Sequence, residues 1–236
     1  MNFTRIEQFI EFHASKIVVN IAKRTFFNSI RYVEHQEIMS SAEFIKANLG
    51  EASLFVNKKG GYFQFVMSKV LKTKKGLWFE FGVREGHSAK FFASFANKFG
   101  LNSKLYAFDS FEGLRNVWSA VGVTSGSFQL NKKPPKDIKN CEFIIGWIED
   151  TLDEFLDSHP GPITFVHFDL DVYQPTKFAL EAISNRLIPG SIIMFDEFHG
   201  YPGWKFHEKR ALEETIPSSK FKFIAFGRKQ ACIQII

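Results

Sequence analysis

Three aspartates close three short apolar runs: Asp109 after Leu105–Phe108, Asp169 after Ile163–Phe168, and Asp196 after Ser191–Phe195. Glu197 follows Asp196 directly, and Asp171 lies two residues past Asp169. Oxygen-only side chains at Asp169, Asp196 and Glu197 suit a hard cation such as Mg²⁺. A cation there would lower the pKa of a coordinated hydroxyl and hold it in line for reaction. Asp109 has the placement of a carboxylate that binds the two hydroxyls of a ribose. A fourth run, Leu77–Phe81, ends at Gly82, and the stretch Glu80–Gly86 forms a turn into a helix. Gly82 and Gly86 let a ligand approach the backbone closely. Arg84 stands between them, where many nucleotide-binding turns carry another glycine.

The glycine turn and Asp109 together indicate an adenosine-containing cofactor without separating NAD from S-adenosylmethionine. The acidic strand ends separate them better. Hydride transfer has no use for a carboxylate cluster there. Methyl transfer to oxygen needs a deprotonated nucleophile in line with a sulfonium methyl, and holding the two partners together contributes the rest. Phe111 is placed to pack on an adenine. The plainer reading of Asp109 and Asp171 is helix capping. His167 precedes Asp169 on its strand and reads as packing more readily than as catalysis. His199, Tyr201, Trp204 and His207 follow Asp196-Glu197 in a loop containing Gly and Pro. His199 or His207 would serve as a general base, as would Asp169.

The elements that position these groups alternate. Strands are expected at Leu77–Phe81, Leu105–Phe108, Phe143–Ile145, Ile163–Phe168 and Ser191–Phe195. Helices are expected from His87 to Lys98, from Asp150, from Pro175 to Arg186, and from about Lys205 to Glu214. This order predicts a doubly wound, mostly parallel α/β sheet. Phe221–Phe226 and Ala231–Ile236 close the chain as a hairpin, whose last strand must run antiparallel. In such sheets ligands bind at the carboxyl edge, where Gly82, Asp109, Asp169 and Asp196 would converge. Residues 72–236 form this unit. Residues 1–71 read as a helical extension, with apolar residues at helical spacing from Ile6 to Ala22, a second helix opened by Ser41 as its cap, and a break at Gly60-Gly61. Dimerisation through these helices is one expectation.

The chain has 236 residues, 45% of them apolar, which suits one α/β domain with an appendage. Its two cysteines, Cys141 and Cys232, lie far apart and form neither a disulfide framework nor a zinc motif. Net charge is +5, with lysines clustered at residues 72–75 and 132–136. Solvated loops account for these clusters. An anionic substrate is the sharper reading, and no RNA-binding motif supports a nucleic-acid partner. No apolar stretch has membrane-spanning length, and the start of the chain lacks a signal-peptide pattern. A cytoplasmic enzyme of small molecules is expected.

Five segments, Leu77–Ser88, Tyr106–Leu114, Gly146–Leu152, His167–Thr176 and Pro189–Trp204, together resemble the macrocin O-methyltransferase family (TylF/MycF-like) of class I S-adenosylmethionine-dependent enzymes. The pairing of Phe108-Asp109-Ser110-Phe111-Glu112-Gly113-Leu114 with Asp169-x-Asp171-x-Tyr173-x-x-Thr176 carries most of the likeness. The resemblance implies a seven-stranded Rossmann-like sheet with a reversed last strand. It implies Glu80, Gly82, Gly86 and Ser88 around the methionine part of the cofactor, Asp109 on the ribose, and Ser110, Phe111 and Trp147 near the adenine, with Asp169 also in reach. It implies Mg²⁺ on Asp169, Asp196 and Glu197, gripping vicinal hydroxyls of a sugar-like acceptor. The chain departs from the family at Glu197, where a second Asp is usual, and at Arg115, where Pro is common.

The expected function is therefore Mg²⁺-assisted O-methylation of a small polyhydroxylated molecule. A metal-independent N- or O-methyltransferase, an NAD-dependent oxidoreductase and a non-catalytic scaffold that keeps the fold are the alternatives.

Overall fold

A computed structural model describes residues 3–50, 54–56, 58–73, 75–101, 103–115, 125–130 and 133–236. Lys74 and Lys132, members of the two lysine clusters, lie outside the described residues. The elements run α1 (Phe3–Asn48), β1 (Leu54–Phe55), α2 (Lys59–Val70), β2 (Leu77–Phe81), α3 (His87–Lys98), β3 (Leu105–Asp109), β4 (Cys141–Ile145), α4 (Ile148–Ser158), β5 (Ile163–Phe168), α5 (Tyr173–Ile183), β6 (Leu187–Phe195), α6 (Glu208–Thr215), β7 (Phe221–Phe226) and β8 (Ala231–Ile235).

The strands form one sheet in the order β1-β7-β8-β6-β5-β2-β3-β4. Strand β8 is antiparallel to both β6 and β7, and the other pairings are parallel. Seven of these strands make the expected Rossmann-like sheet with a reversed last strand. The eighth is the two-residue β1, which pairs with β7. Helices α2 and α3 cover one face, and α4, α5 and α6 cover the other.

Side chains alternate between these faces, as strand geometry requires. Phe79, Phe81, Val166, Phe168, Ile193 and Phe195 point into the core under α4–α6. Trp78, Phe165, Ile192 and Met194 point to α2 and α3. Phe108, Phe81, Phe168 and Phe195 stand in register, one on each of four neighbouring strands. Successive ring centroids are 5.1, 5.1 and 5.2 Å apart. Each contact of this kind contributes about 0.5–1.5 kcal/mol beyond its buried area. The next residue along each strand is Asp109, Gly82, Asp169 or Asp196. A phenylalanine row that anchors one face therefore brings four site residues level at the carboxyl edge. Four of the chain's 29 phenylalanines have this structural use.

The N-terminal segment differs from the sequence expectation. One continuous helix of 46 residues replaces two. Ser41 is not a cap, because it lies inside that helix and its hydroxyl is bound to His199. The last turns of α1 meet the core through Phe44 and Ile45. Gly60 and Gly61 do not break the chain but form the first turn of α2. Tyr62, Val66 and Met67 of that helix are fully buried, and α2 lies against β6 and β7. No described helix is long and apolar enough to cross a membrane.

Candidate active site

A cavity of about 330 Å³ opens at the carboxyl edge of the sheet. Gly82, Asp109, Ser110, Trp147, Asp169, Asp196 and Glu197 all line it. Seven of the residues singled out from the sequence thus converge. Glu80, Gly86, Phe111 and His199 do not line it, each for a physical reason, and Ser88, half-buried in the first turn of α3, does not line it either.

Glu80 faces α2 and α3 from the middle of β2, fully buried. It is the register partner of His167 on β5, and its Oε1 lies 2.9 Å from His167 Nδ1. Its carboxylate is thus committed to the interior, behind the cavity. Burial alone would depress the His167 pKa, but the Asp196 and Glu80 carboxylates hold it charged, up to about 9. His167 Nε2 is 3.9 Å from Asp196 Oδ1, a charge contact longer than a hydrogen bond. Phe63 and Phe92 press their rings edge-on against the imidazole. His167 is therefore more than packing: it sets a positive charge between Glu80 and Asp196.

Gly82 has φ +84°, and a Cβ there would sit 2.0 Å from the Asp169 carbonyl oxygen. Arg84 adopts φ +50°, so the place of the missing glycine keeps a glycine-like conformation. Its guanidinium lies 4.9 Å from the Phe128 ring centroid. Gly86, at φ +75°, caps α3 and packs under Pro135. Asp109 already accepts three backbone hydrogen bonds: from Val83 N–H at 2.7 Å, Arg84 N–H at 2.8 Å and Phe111 N–H at 2.7 Å. The carboxylate thus braces the glycine turn while lining the cavity, and beyond these bonds Oδ1 keeps one acceptor position. Phe111, at φ +55°, is turned into the core against Phe143 and is not beside an adenine subsite. Trp147 does line the cavity, with the Arg115 guanidinium 4.3 Å from its ring centroid. Arg115, where the sequence departs from the family, also lies 3.8 Å from Glu149 and from Asp150.

His199 does not face the cavity. It is 2% exposed, and both ring nitrogens are engaged. Nε2 lies 3.1 Å from the Gln230 carbonyl oxygen, which only accepts, so Nε2 carries the hydrogen. Nδ1 then accepts from the Ser41 hydroxyl at 2.9 Å. Burial lowers its pKa to about 4. His199 fastens α1 to the sheet edge. His207 precedes α6 and is also lowered by burial.

The acidic end remains. Burial and the neighbouring Asp196 raise Asp169 to about 7. Burial would raise Asp196 too, but His167 and Lys59 hold it down to about 2. Asp171, at φ +64°, is pushed well up by burial and by Asp169. One full negative charge at Asp196 thus stands beside carboxyls that share protons more readily. Glu208, which the sequence reading passed over, is fully buried and accepts Glu197 N–H at 3.2 Å.

The cofactor and the metal fare differently against this geometry. The turn at Gly82, where no Cβ would fit, the remaining acceptor position of Asp109 and the cavity-lining side of Trp147 suit an adenosine-bearing ligand. A divalent cation fits poorly. Lys59 Nζ, from the first turn of α2, lies 2.7 Å from Asp196 Oδ2. Lys229 Nζ lies 3.1 Å from Glu197 Oε2. Two of the three expected metal ligands already hold an ammonium group. Among the described residues, no three His, Cys, Asp or Glu side chains are grouped to hold a metal. Lys59 had no motif to announce it. The only trace was a basic residue beside Gly60-Gly61.

Residues 79–198 match the family model described as a methyltransferase domain. A relative from Streptomyces olivaceus, 8-demethyl-8-(2,3-dimethoxy-alpha-L-rhamnosyl)-tetracenomycin-C 4'-O-methyltransferase, is 25% identical over 137 residues, which is 50% of this chain. The match spans about half the length of that relative, 51%. Among solved structures, the calicheamicin methyltransferase CalS11 superposes with a TM-score of 0.62 at 24% identity, covering 73% of this chain and 77% of that one. The O-methyltransferase NovP gives 0.57 at 18% identity, covering 75% and 78%. Both share the fold.

Proposed function

The chain belongs to the methyltransferase domain family, and from that premise we propose that it transfers a methyl group from S-adenosylmethionine to a hydroxyl of a small, sugar-like acceptor. The observation that carries this reading is the placement of Asp169. Asp169 lines the same cavity as Asp109 and Trp147, its backbone carbonyl sits against Gly82, and its carboxyl has its pKa raised to about 7. A general base works best when its pKa lies near the operating pH.

The cofactor, when bound, supplies a methyl on a positively charged sulfur, a good leaving group. Asp109 and Trp147 would hold its adenosine part, and the Gly82 turn would admit its amino-acid part. Asp169 accepts the acceptor hydroxyl's proton as the oxygen forms its bond to the methyl carbon. The proton would remain on Asp169, with the methyl supplied by the bound cofactor and the leaving electron pair retained on its sulfur. His167 and Lys59 hold Asp196 ionised beside it. No step is routed through Mg²⁺, because Lys59 and Lys229 occupy its expected ligands. The sugar-like acceptor is supported by the name of the Streptomyces olivaceus relative, which methylates a rhamnosyl-bearing compound. The motifs of residues 108–114 and 169–176 support the finer kinship with macrocin-type enzymes.

Calorimetry with S-adenosylhomocysteine and with NAD tests the reading. Binding of the first and no response to the second is expected. The reverse would replace methyl transfer with hydride transfer. Turnover is then sought with radiolabelled S-adenosylmethionine over a panel of sugars and glycosides.

A further inference from the structure

Two ammonium groups stand on two adjacent carboxylates at the acceptor end of the cavity. Lys59 reaches Asp196 from the opening turn of α2, at 2.7 Å. Lys229 reaches Glu197 from the β7–β8 turn, at 3.1 Å. They come from separate elements, α2 and the β7–β8 turn, and together they carry the charge of one divalent cation. Lys59 lines the cavity, and its charge also acts on Asp169 and Glu197. A metal ion bound between these carboxylates would meet two positive charges, the more tightly held of them on Lys59.

We propose that Lys59 and Lys229 take the place of a divalent metal at this site, and that Lys59 presents its ammonium to the acceptor oxygen. The inference rests on the methyl-transfer reading. An ammonium has three N–H donors, and Asp196 takes one. The others remain for the acceptor oxygen as it becomes negative. Chelation by a metal favours two neighbouring hydroxyls on the acceptor. A lysine needs one. The acceptor class therefore widens to molecules with a single reactive hydroxyl.

The test is a manganese titration followed by electron paramagnetic resonance, using the full chain saturated with S-adenosylhomocysteine. Wild type, Lys59→Met, Lys59→Gln and Lys59→Arg are compared. Manganese should stay free with wild type and with Lys59→Arg. The two neutral variants should gain a bound ion, with affinity rising on the order of tenfold or more once Asp196 loses its partner. Manganese bound by wild type overturns the proposal. So does the absence of any gain in the neutral variants while S-adenosylhomocysteine still binds. Failure of wild type to bind S-adenosylhomocysteine sinks the methyltransferase reading instead, and the manganese result stands separately.

Discussion

Glu80 and His167 face each other in register on adjacent parallel strands, with 2.9 Å between Oε1 and Nδ1 and no solvent around either. The imidazolium is held charged up to about pH 9, above the ordinary histidine range. A raised folded-state pKa gives stability that is complete below the unfolded value, about 6.5, and is lost as pH rises through the folded value. Urea unfolding between pH 6 and pH 10 should therefore show a loss on the order of 1–3 kcal/mol from this group. Glu80→Gln should flatten that part of the profile and lower stability at pH 6. An unchanged profile in the variant would mean that the pair is not ionised.

Gly82 and Asp169 are joined by contact, since a Cβ on Gly82 would meet the Asp169 carbonyl oxygen at 2.0 Å. Gly82→Ala must also adopt φ +84°, which disfavours any residue with a side chain. We expect a cost of about 2–4 kcal/mol and loss of S-adenosylhomocysteine binding. Thermal melts with and without the ligand check both. Normal melting and binding would show that the turn is looser than its contacts require.

Asp169→Asn removes the base but keeps its shape. Methyl transfer should fall about 10²–10⁴-fold, while S-adenosylhomocysteine affinity stays within a few-fold. The wild-type rate should rise with pH through about 7, because Asp169 accepts a proton only when ionised. A pH-independent rate across that range would move the role elsewhere.

Ser41→Ala opens the clip between α1 and the loop after β6. Losing a buried hydrogen bond to His199 should cost about 1–2 kcal/mol. The rate constant for methyl transfer should change less than about twofold, since His199 works in packing and not in proton transfer. Protease nicking of α1 at native pH gives a direct readout of the loosened helix. A large drop in rate with α1 still protected would restore His199 to the chemistry.

Much of the sheet was legible because its signals are local. Apolar runs ending at Gly82, Asp109, Asp169 and Asp196 marked both the strands and the edge where they meet. What stayed hidden was direction and distance. Glu80 and His167 lie two residues before Gly82 and Asp169, equal offsets on strands that turn out to be neighbours. That parity points both inward, yet their pairing needs the strand order. Phe111 has the residue type for stacking on an adenine, but its φ of +55° turns it into the core. Lys59 was illegible for a different reason. It meets Asp196 across 137 residues of chain, and no spacing rule spans that gap. The long α1 was read as two helices because Ser41 looks like a cap when its distant partner is unknown.

The position of Lys59 has an evolutionary consequence. The segment that defines the family spans residues 79–198, and Lys59 and Lys229 lie on either side of it. On the proposal that Lys59 and Lys229 replace a metal ion, the domain could be inherited whole while flanking helices and turns decide whether its acidic edge recruits a metal or supplies its own cation. A single substitution at the start of α2 would be enough to move a descendant between these two ways of working.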